Sequence, residues 1–265
     1  MSTFSHSEEK NQTLLVRLQS ITYEAKDVSL FEFMPLHGQK LKAFSAGSHI
    51  DIHLPNGLIR QYSLCNSPLE TERYVVGVKK DPLSRGGSNF MHDKLKVGSE
   101  LKISLPRNLF PLANESSHAV LIGGGIGITP LISMAHELTA KNASWHLFCS
   151  FKNRSEVALS GQFESSKVHL HIDDESQSEY LNVASILANA PQGSHFYCCG
   201  PEPMLNHFIE LSKAIDASRI HFEFFKPVAT KLSGDGFEVN LHQTKKRFYV
   251  RPDQTILQVL QKNGI

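Results

Sequence analysis

Hydrophobic and polar positions change rhythm twice along this chain. Up to about residue 112 the apolar residues come in short, partly alternating runs: "LLVRLQSITYE", "SLFEFMPL", "SHIDIHL", "LIRQYSLC", "RYVVGVKK" and "ELKISLP". Period-two alternation buries one face of each run, and Pro, Gly and Asn punctuate them at "LPNG" and "KVGS". Several such strands in one block predict a small antiparallel β-barrel.

After Pro111 the runs become continuous. "HAVLIGGG", "SWHLFCSF", "KVHLHID", "SHFYCCG" and "IHFEFF" are predicted strands, and helical segments separate several of them. "TPLISMAHELTAKN" places Leu131, Ala135 and Leu138 on one helical face, and "PMLNHFIELSKAI" spaces Leu205, Phe208, Leu211 and Ile215 by three and four. Strands alternating with helices predict a doubly wound parallel sheet. A polar, glycine-bearing stretch, "VATKLSGDG", is the expected linker. Two strands, a turn and a helix follow, with Thr255 capping the helix, Ile256, Leu257, Val259 and Leu260 on its apolar face, and Gly264 closing it. The expected divisions are 1–112, 113–228, a linker at 229–236, and 237–265. A helix with an apolar face needs something to pack on, so the last segment is expected to open a unit that is truncated here.

Composition narrows the function classes. The chain has 265 residues, enough for two domains with cores, and its 40% hydrophobic and 20% charged shares are those of a soluble globular protein. A formal net charge of +1 argues against a nucleic-acid binder. "MSTFSHSEEKNQ" lacks the apolar core of a signal peptide. The most apolar stretch, "AVLIGGGIGITPLISMA", is broken by glycines and a proline, so no membrane span is expected. The four cysteines, Cys65, Cys149, Cys198 and Cys199, show no CxxC spacing; this suits a reducing cytoplasm and supports no metal site.

Four motifs could carry chemistry. In "RQYS", Arg60 and Tyr62 share one strand face, so a cation and a flat ring can line one groove, although Arg-x-Tyr pairs are common on exposed strands. "SRGGSNFMHDKL" sets Gly86 and Gly87 before Ser88, a good N-cap; free N–H groups there suit an anion, and a plain tight turn would look the same. "GGGIGITP" does not match GxGxxG, yet it joins the first strand and first helix of a parallel sheet, where ligands approach. "YCCGPEPML" puts a thiol and a turn at the end of a later strand, and a buried Cys is most often a small hydrophobe.

Taken in order, RxYS, GGS, GGGIGITP and CGP resemble the phthalate dioxygenase reductase family of the ferredoxin-NADP reductase superfamily, over essentially the whole chain. The resemblance implies a flavin-binding barrel, a NADH-binding domain and the start of a β-grasp plant-type ferredoxin domain. It implies FMN, with FAD the alternative, NADH, and in complete members a 2Fe-2S cluster. Plant-type ligands follow CxxxxCxxC with a distant fourth Cys; none of the four cysteines fits, so the ligands are expected outside this chain.

By the same resemblance, Arg60, Gln61, Gly86, Gly87 and Ser88 would surround the flavin phosphate side, Tyr62 and Ser63 the ring, and Val78 and Lys79 the ribityl chain. Gly124, Gly125, Thr129, Pro130, Cys199, Gly200 and Pro201 would hold the pyridine nucleotide. Ser63, Thr129, Cys199 and Phe225 would meet the reacting rings. Where NADPH-using relatives carry a Ser-Arg pair, this chain has "HIDD"; Asp173 and Asp174 would accept ribose hydroxyls and repel a phosphate. Lys152 and Arg154 read as a solvated face, and so do His169 and His171. The expected activity is the NADH-oxidising reductase component of a two-component, Rieske-type oxygenase. The alternatives are a free-standing FAD diaphorase and a non-catalytic NADH sensor.

Overall fold

The computed structural model describes residues 12–36, 38, 40–113, 117–176, 179–225, 235–242 and 244–265. Its chain divides into two compact units, Met1–Phe225 and Lys226–Ile265. Most of the expected linker at 229–236 lies outside the described residues.

The first half of the larger unit is a seven-stranded antiparallel sheet. Its strands are β1 (Thr13–Ala25), β2 (Val28–Pro35), β3 (Ser48–His53), β4 (Ile59–Ser63), β5 (Tyr74–Lys79), β6 (Glu100–Ser104) and β7 (Arg107–Asn108). They run in the order β4-β3-β6-β1-β2-β5, with β7 on β3, and a bridge between Leu64 and Val76 brings the two ends together. β1 and β2 form a hairpin whose two-residue loop ends on Asp27 at φ 61, a conformation that aspartate tolerates better than most side chains. Alternate residues Val16 and Leu18, Phe31 and Phe33, and Ile50 and Ile52 fill the barrel. Between β5 and β6 lies α1 (Gly87–Asp93).

The second half is a five-stranded parallel sheet: β8 (Ala119–Gly124), β9 (Trp145–Phe151), β10 (Val168–Ile172), β11 (His195–Cys199) and β12 (Ile220–Glu223). The order β10-β9-β8-β11-β12 winds outward in both directions from β8. The carboxyl ends of β8 and β11 therefore flank the switch point where ligands enter such sheets. α2 (Ile128–Ala140) packs on one face through Leu131, Met134, Ala135 and Leu138. On the other face α3 (Val183–Asn189) and α4 (Glu202–Leu211) bury Val183, Leu205 and Phe208 against Val120, Ile122 and Phe196. The antiparallel barrel and the doubly wound parallel sheet expected from the sequence are both present.

The two halves share one core. Ala25, Val28, Ala46, Cys65, Val75 and Phe110 of the barrel half belong to the same buried cluster as the α2 side chains. Polar ties add direction. Glu137 accepts from the Ala46 N–H at 2.9 Å, Glu24 accepts from the Leu159 N–H at 2.7 Å, and Lys79 pairs with Glu156 at 2.6 Å.

The smaller unit comprises β13 (Phe237–Asn240) paired antiparallel with β14 (Arg247–Val250), and α5 (Ile256–Lys262). Thr255 caps α5 as expected, in a reciprocal capping box with Gln258. Val259 and Val250 are buried, whereas Ile256 and Leu257 are exposed.

Two pairs of imidazoles face each other near the amino ends of the parallel strands. His118 Nε2 lies 3.1 Å from His146 Nδ1, and His195 Nδ1 lies 3.1 Å from His221 Nε2. Burial lowers the pKa of all four, and a neighbouring imidazole lowers those of His118, His146 and His221 further. A group whose folded pKa is depressed contributes stability that is present above its unfolded value of about 6.5 and lost as pH falls through the folded one. The urea midpoint should therefore drop between pH 7 and pH 5. His221→Phe, which keeps the ring stacked on Tyr197, should drop less over that interval; an equal drop would refute the assignment.

Candidate active site

The RQYS strand and the glycine turn before α1 form one patch. Arg60 donates from Nη1 to the Ile59 carbonyl and from Nη2 to the Arg85 carbonyl, both at 2.8 Å. Its side chain lies so close over Gly87 that a Cβ there would sit 2.5 Å from Arg60 Cγ. Gly86 holds φ at 89 and is itself the N-cap, so Ser88 does not cap α1 as expected. Ser88 lies inside the first turn, where its hydroxyl accepts from the Asp81 N–H at 3.2 Å. A guanidinium has five N–H donors; with two aimed at carbonyls, the others remain for an anion. This cradle fits a phosphate.

Beside it, Tyr62 packs part of its ring on the barrel core while Gln61 is exposed. Burial pushes the Tyr62 hydroxyl up to about 12 against the opposing charge of Arg60, so the phenol stays neutral. Ser63 is buried and faces His49 across the strand pair. His49 was not singled out from sequence: it is 1% exposed, and neither ring nitrogen has a partner. Val78 is 1% exposed, and its side chain belongs to the barrel core. Lys79 spends its ammonium group on Glu156.

The barrel strand next to this patch touches the parallel sheet. A Cβ on Gly77 of β5 would stand 2.8 Å from Thr129 Cγ2. Thr129 is buried at the start of α2, with its hydroxyl donated to the Ile126 carbonyl at 3.0 Å. Pro130 is buried in the same turn, where a missing N–H is harmless, and serves packing. One residue back from α2, a Cβ on Gly127 would meet the Cys199 carbonyl oxygen at 2.5 Å. On Gly124 it would meet Pro201 Cδ at 2.6 Å, and on Gly200 the Gly124 nitrogen at 3.0 Å. Among the glycines of these two turns, Gly125 has open space where a Cβ would stand and a positive φ of 52. The GGGIG and CGP turns are thus pressed together at the switch point.

Cys199 is fully buried, and burial, then Glu223 and Cys198, raise its thiol well above the ordinary value. It is a neutral thiol there. Glu223, also overlooked in the sequence, lies in register with Cys199 on β12. Its Oε2 is buried without a partner, and burial raises its pKa to about 7. A carboxyl poised near neutrality at the carboxyl end of the sheet can hold or release a proton there. Phe225, two residues on, is 44% exposed. Asp173 accepts from Ser150 at 3.0 Å at the ends of β9 and β10, and Asp174 beside it is exposed.

The residues present do not fit an iron–sulfur cluster. All four cysteines are buried in the larger unit, and burial pushes the thiols of Cys65, Cys149 and Cys198 up to about 12.

No protein-family model matches the chain. Phenoxybenzoate dioxygenase subunit beta of Ectopseudomonas oleovorans is 40% identical over 252 residues, spanning 94% of this chain and 79% of that protein. Vanillate O-demethylase oxidoreductase of Pseudomonas putida is 41% identical over 249 residues, spanning 91% and 78%. The solved structure of phthalate dioxygenase reductase superposes with a TM-score of 0.81 at 31% identity, over 96% of this chain and 81% of that one. The chain belongs to the phthalate dioxygenase reductase family. It is an oxidoreductase, built on that family's antiparallel barrel and parallel sheet. Among the described residues, no helix is long and apolar enough to cross a membrane.

Two substitutions probe this seam. Gly127→Ala should destabilise the protein by about 1–3 kcal/mol, because the added methyl meets a backbone carbonyl that cannot rotate away; an unchanged thermal midpoint would refute the close approach. For Glu223, a raised folded pKa means a contribution present below its unfolded value and lost as pH rises through about 7. Glu223→Gln should therefore raise the melting temperature at pH 8 relative to the parent, and change it little at pH 4.

Proposed function

We propose that this chain takes hydride from NADH onto a flavin held on the barrel, as the reductase component that serves a terminal oxygenase of the Rieske type. The observation that carries this is the joined seam, in which the strand after RQYS, the GGGIG turn and the CGP turn meet within contact distance. FMN is the flavin of choice on the family resemblance, with the Arg60 and Gly87 cradle as the support for its phosphate; FAD is the second candidate. When bound, the flavin supplies the step between two-electron hydride chemistry and one-electron delivery.

The chain's own residues do the rest. Arg60 anchors the phosphate with its spare N–H groups. Tyr62 presents a neutral ring edge, and Ser63 offers a hydroxyl beside it. Gly125 lets the nicotinamide end of the coenzyme approach the backbone, and the tightly packed turns around Gly124, Gly200 and Pro201 keep water out of the seam. Thr129 and Cys199 border the reacting region, with Glu223 as the proton-holding group behind Cys199. Phe225 is exposed enough to move aside. At the far end, Asp173 and Asp174 suit ribose hydroxyls and favour NADH. The relatives' names, a dioxygenase subunit and a demethylase oxidoreductase, support an oxygenase as partner. Cytoplasmic location belongs to the same proposal.

Purified protein reconstituted with FMN and mixed anaerobically with NADH should bleach near the flavin absorbance maximum within the mixing experiment. A bound flavin that NADH does not reduce would favour a sensor and defeat the proposal. Mass measurement of the acid-released flavin distinguishes FMN from FAD. Arg60→Ala should weaken FMN binding roughly 10- to 100-fold, the worth of a charge-assisted hydrogen bond set, as read from quenching of flavin fluorescence.

A further inference from the structure

The carboxyl ends of β9 and β10 carry an arrangement that the hydride seam does not use. Ser150 donates its hydroxyl to Asp173 Oδ1 at 3.0 Å, and His171 Nε2 lies 3.5 Å from the same oxygen. Neither contact involves Oδ2. The Asp174 N–H donates to the Lys152 carbonyl at 3.0 Å, which ties the segment after β9 to the segment after β10. One step further along this tie, Arg154 and Glu175 face each other. Arg154 Nε donates to Glu175 Oε1 at 2.7 Å and Nη2 donates to Oε2 at 2.5 Å, a two-point fork.

Both side chains are well exposed, 68% and 47%, so the pair adds little stability. Its consequence is directional. The fork fixes the guanidinium plane and spends its charge on a carboxylate a residue away from the Asp-Asp pair. In nucleotide sites at the ends of parallel strands, an acidic residue accepts the ribose 2′-hydroxyl, and a nearby arginine accommodates a 2′-phosphate. Here the arginine is present and already engaged.

We propose that Glu175 is a specificity-determining residue: by holding Arg154 in this two-point pair, it denies a 2′-phosphorylated coenzyme that guanidinium and so favours NADH. The inference rests on the assignment of this edge to the coenzyme's adenosine ribose. A 2′-phosphate arriving at Asp173 then meets carboxylates while the Arg154 guanidinium is engaged by Glu175. Removing Glu175 subtracts one repelling charge and frees a guanidinium with the fork geometry that phosphate requires.

The test uses binding of two fragments, adenosine 2′,5′-bisphosphate and 5′-AMP, to the full chain by calorimetric titration. The ratio of their dissociation constants should fall roughly tenfold in Glu175→Ala relative to the parent, the size expected for exchanging one nearby charge for another. It should return towards the parental ratio in the double variant Glu175→Ala with Arg154→Ala. A parental ratio in the single variant overturns the inference, and so does a gain that survives in the double variant, since Arg154 would then play no part. If NADH reduces the flavin normally while the ratio stays unchanged, the specificity role falls and the reductase function stands. If the parent binds neither fragment and NADH does not reduce the flavin, both fall together.

Discussion

The molecule depends on the closeness of two backbones. Gly127 sits against the Cys199 carbonyl, and Gly77 sits against the Thr129 methyl, with no room for a Cβ at either place. The barrel comes this close to the start of α2 at Gly77 because that residue carries no side chain. The shared apolar cluster beneath, with Phe110 and Val75 from one half and Met134 and Leu131 from the other, keeps that spacing fixed. The interface between the halves is thus a continuous interior, in contrast to the more polar interfaces on which domains usually slide.

Charge is arranged around the seam accordingly. Tyr62 and Cys199 are both pushed towards their neutral forms by burial, and Glu223 is brought to the middle of its titration. An unpaired charge in such a place is costly, and the chain keeps its permanent charges at the rim. Arg60 lies over the turn before α1, Lys79 is paired with Glu156, and Arg154 with Glu175. A low-charge lining with the Arg60 guanidinium beside it suits a flat ring system with a phosphate tail.

Much of the architecture was legible from spacing alone. The barrel strands, the order of strands and helices in the second half, and the Thr255 cap all follow from local periodicity and local hydrogen bonding. The motif order carried the family. What local patterns missed has a common cause. His49 and Glu223 sit in strands where polar and apolar residues mix, and nothing beside them in the chain sets them apart; their importance comes from neighbours brought by other strands, Ser63 for one and Cys199 for the other. Ser88 was misassigned because a serine after two glycines resembles a cap, whereas the left-handed Gly86 takes that position and the serine turns to Asp81. Arg154 passes for a solvated residue until its bond to Glu175, twenty-one positions away, is in view.

By itself, then, the sequence determined the elements and their kind, because apolar period, glycine placement and capping act over a few residues. It also determined the set of motifs and the order in which they occur. Tertiary structure alone decided which of those motifs touch, which hydroxyls and carboxylates remain without partners, and which cations are free. Those properties depend on distances between residues far apart in the chain, and only the packing of one sheet against another sets such distances.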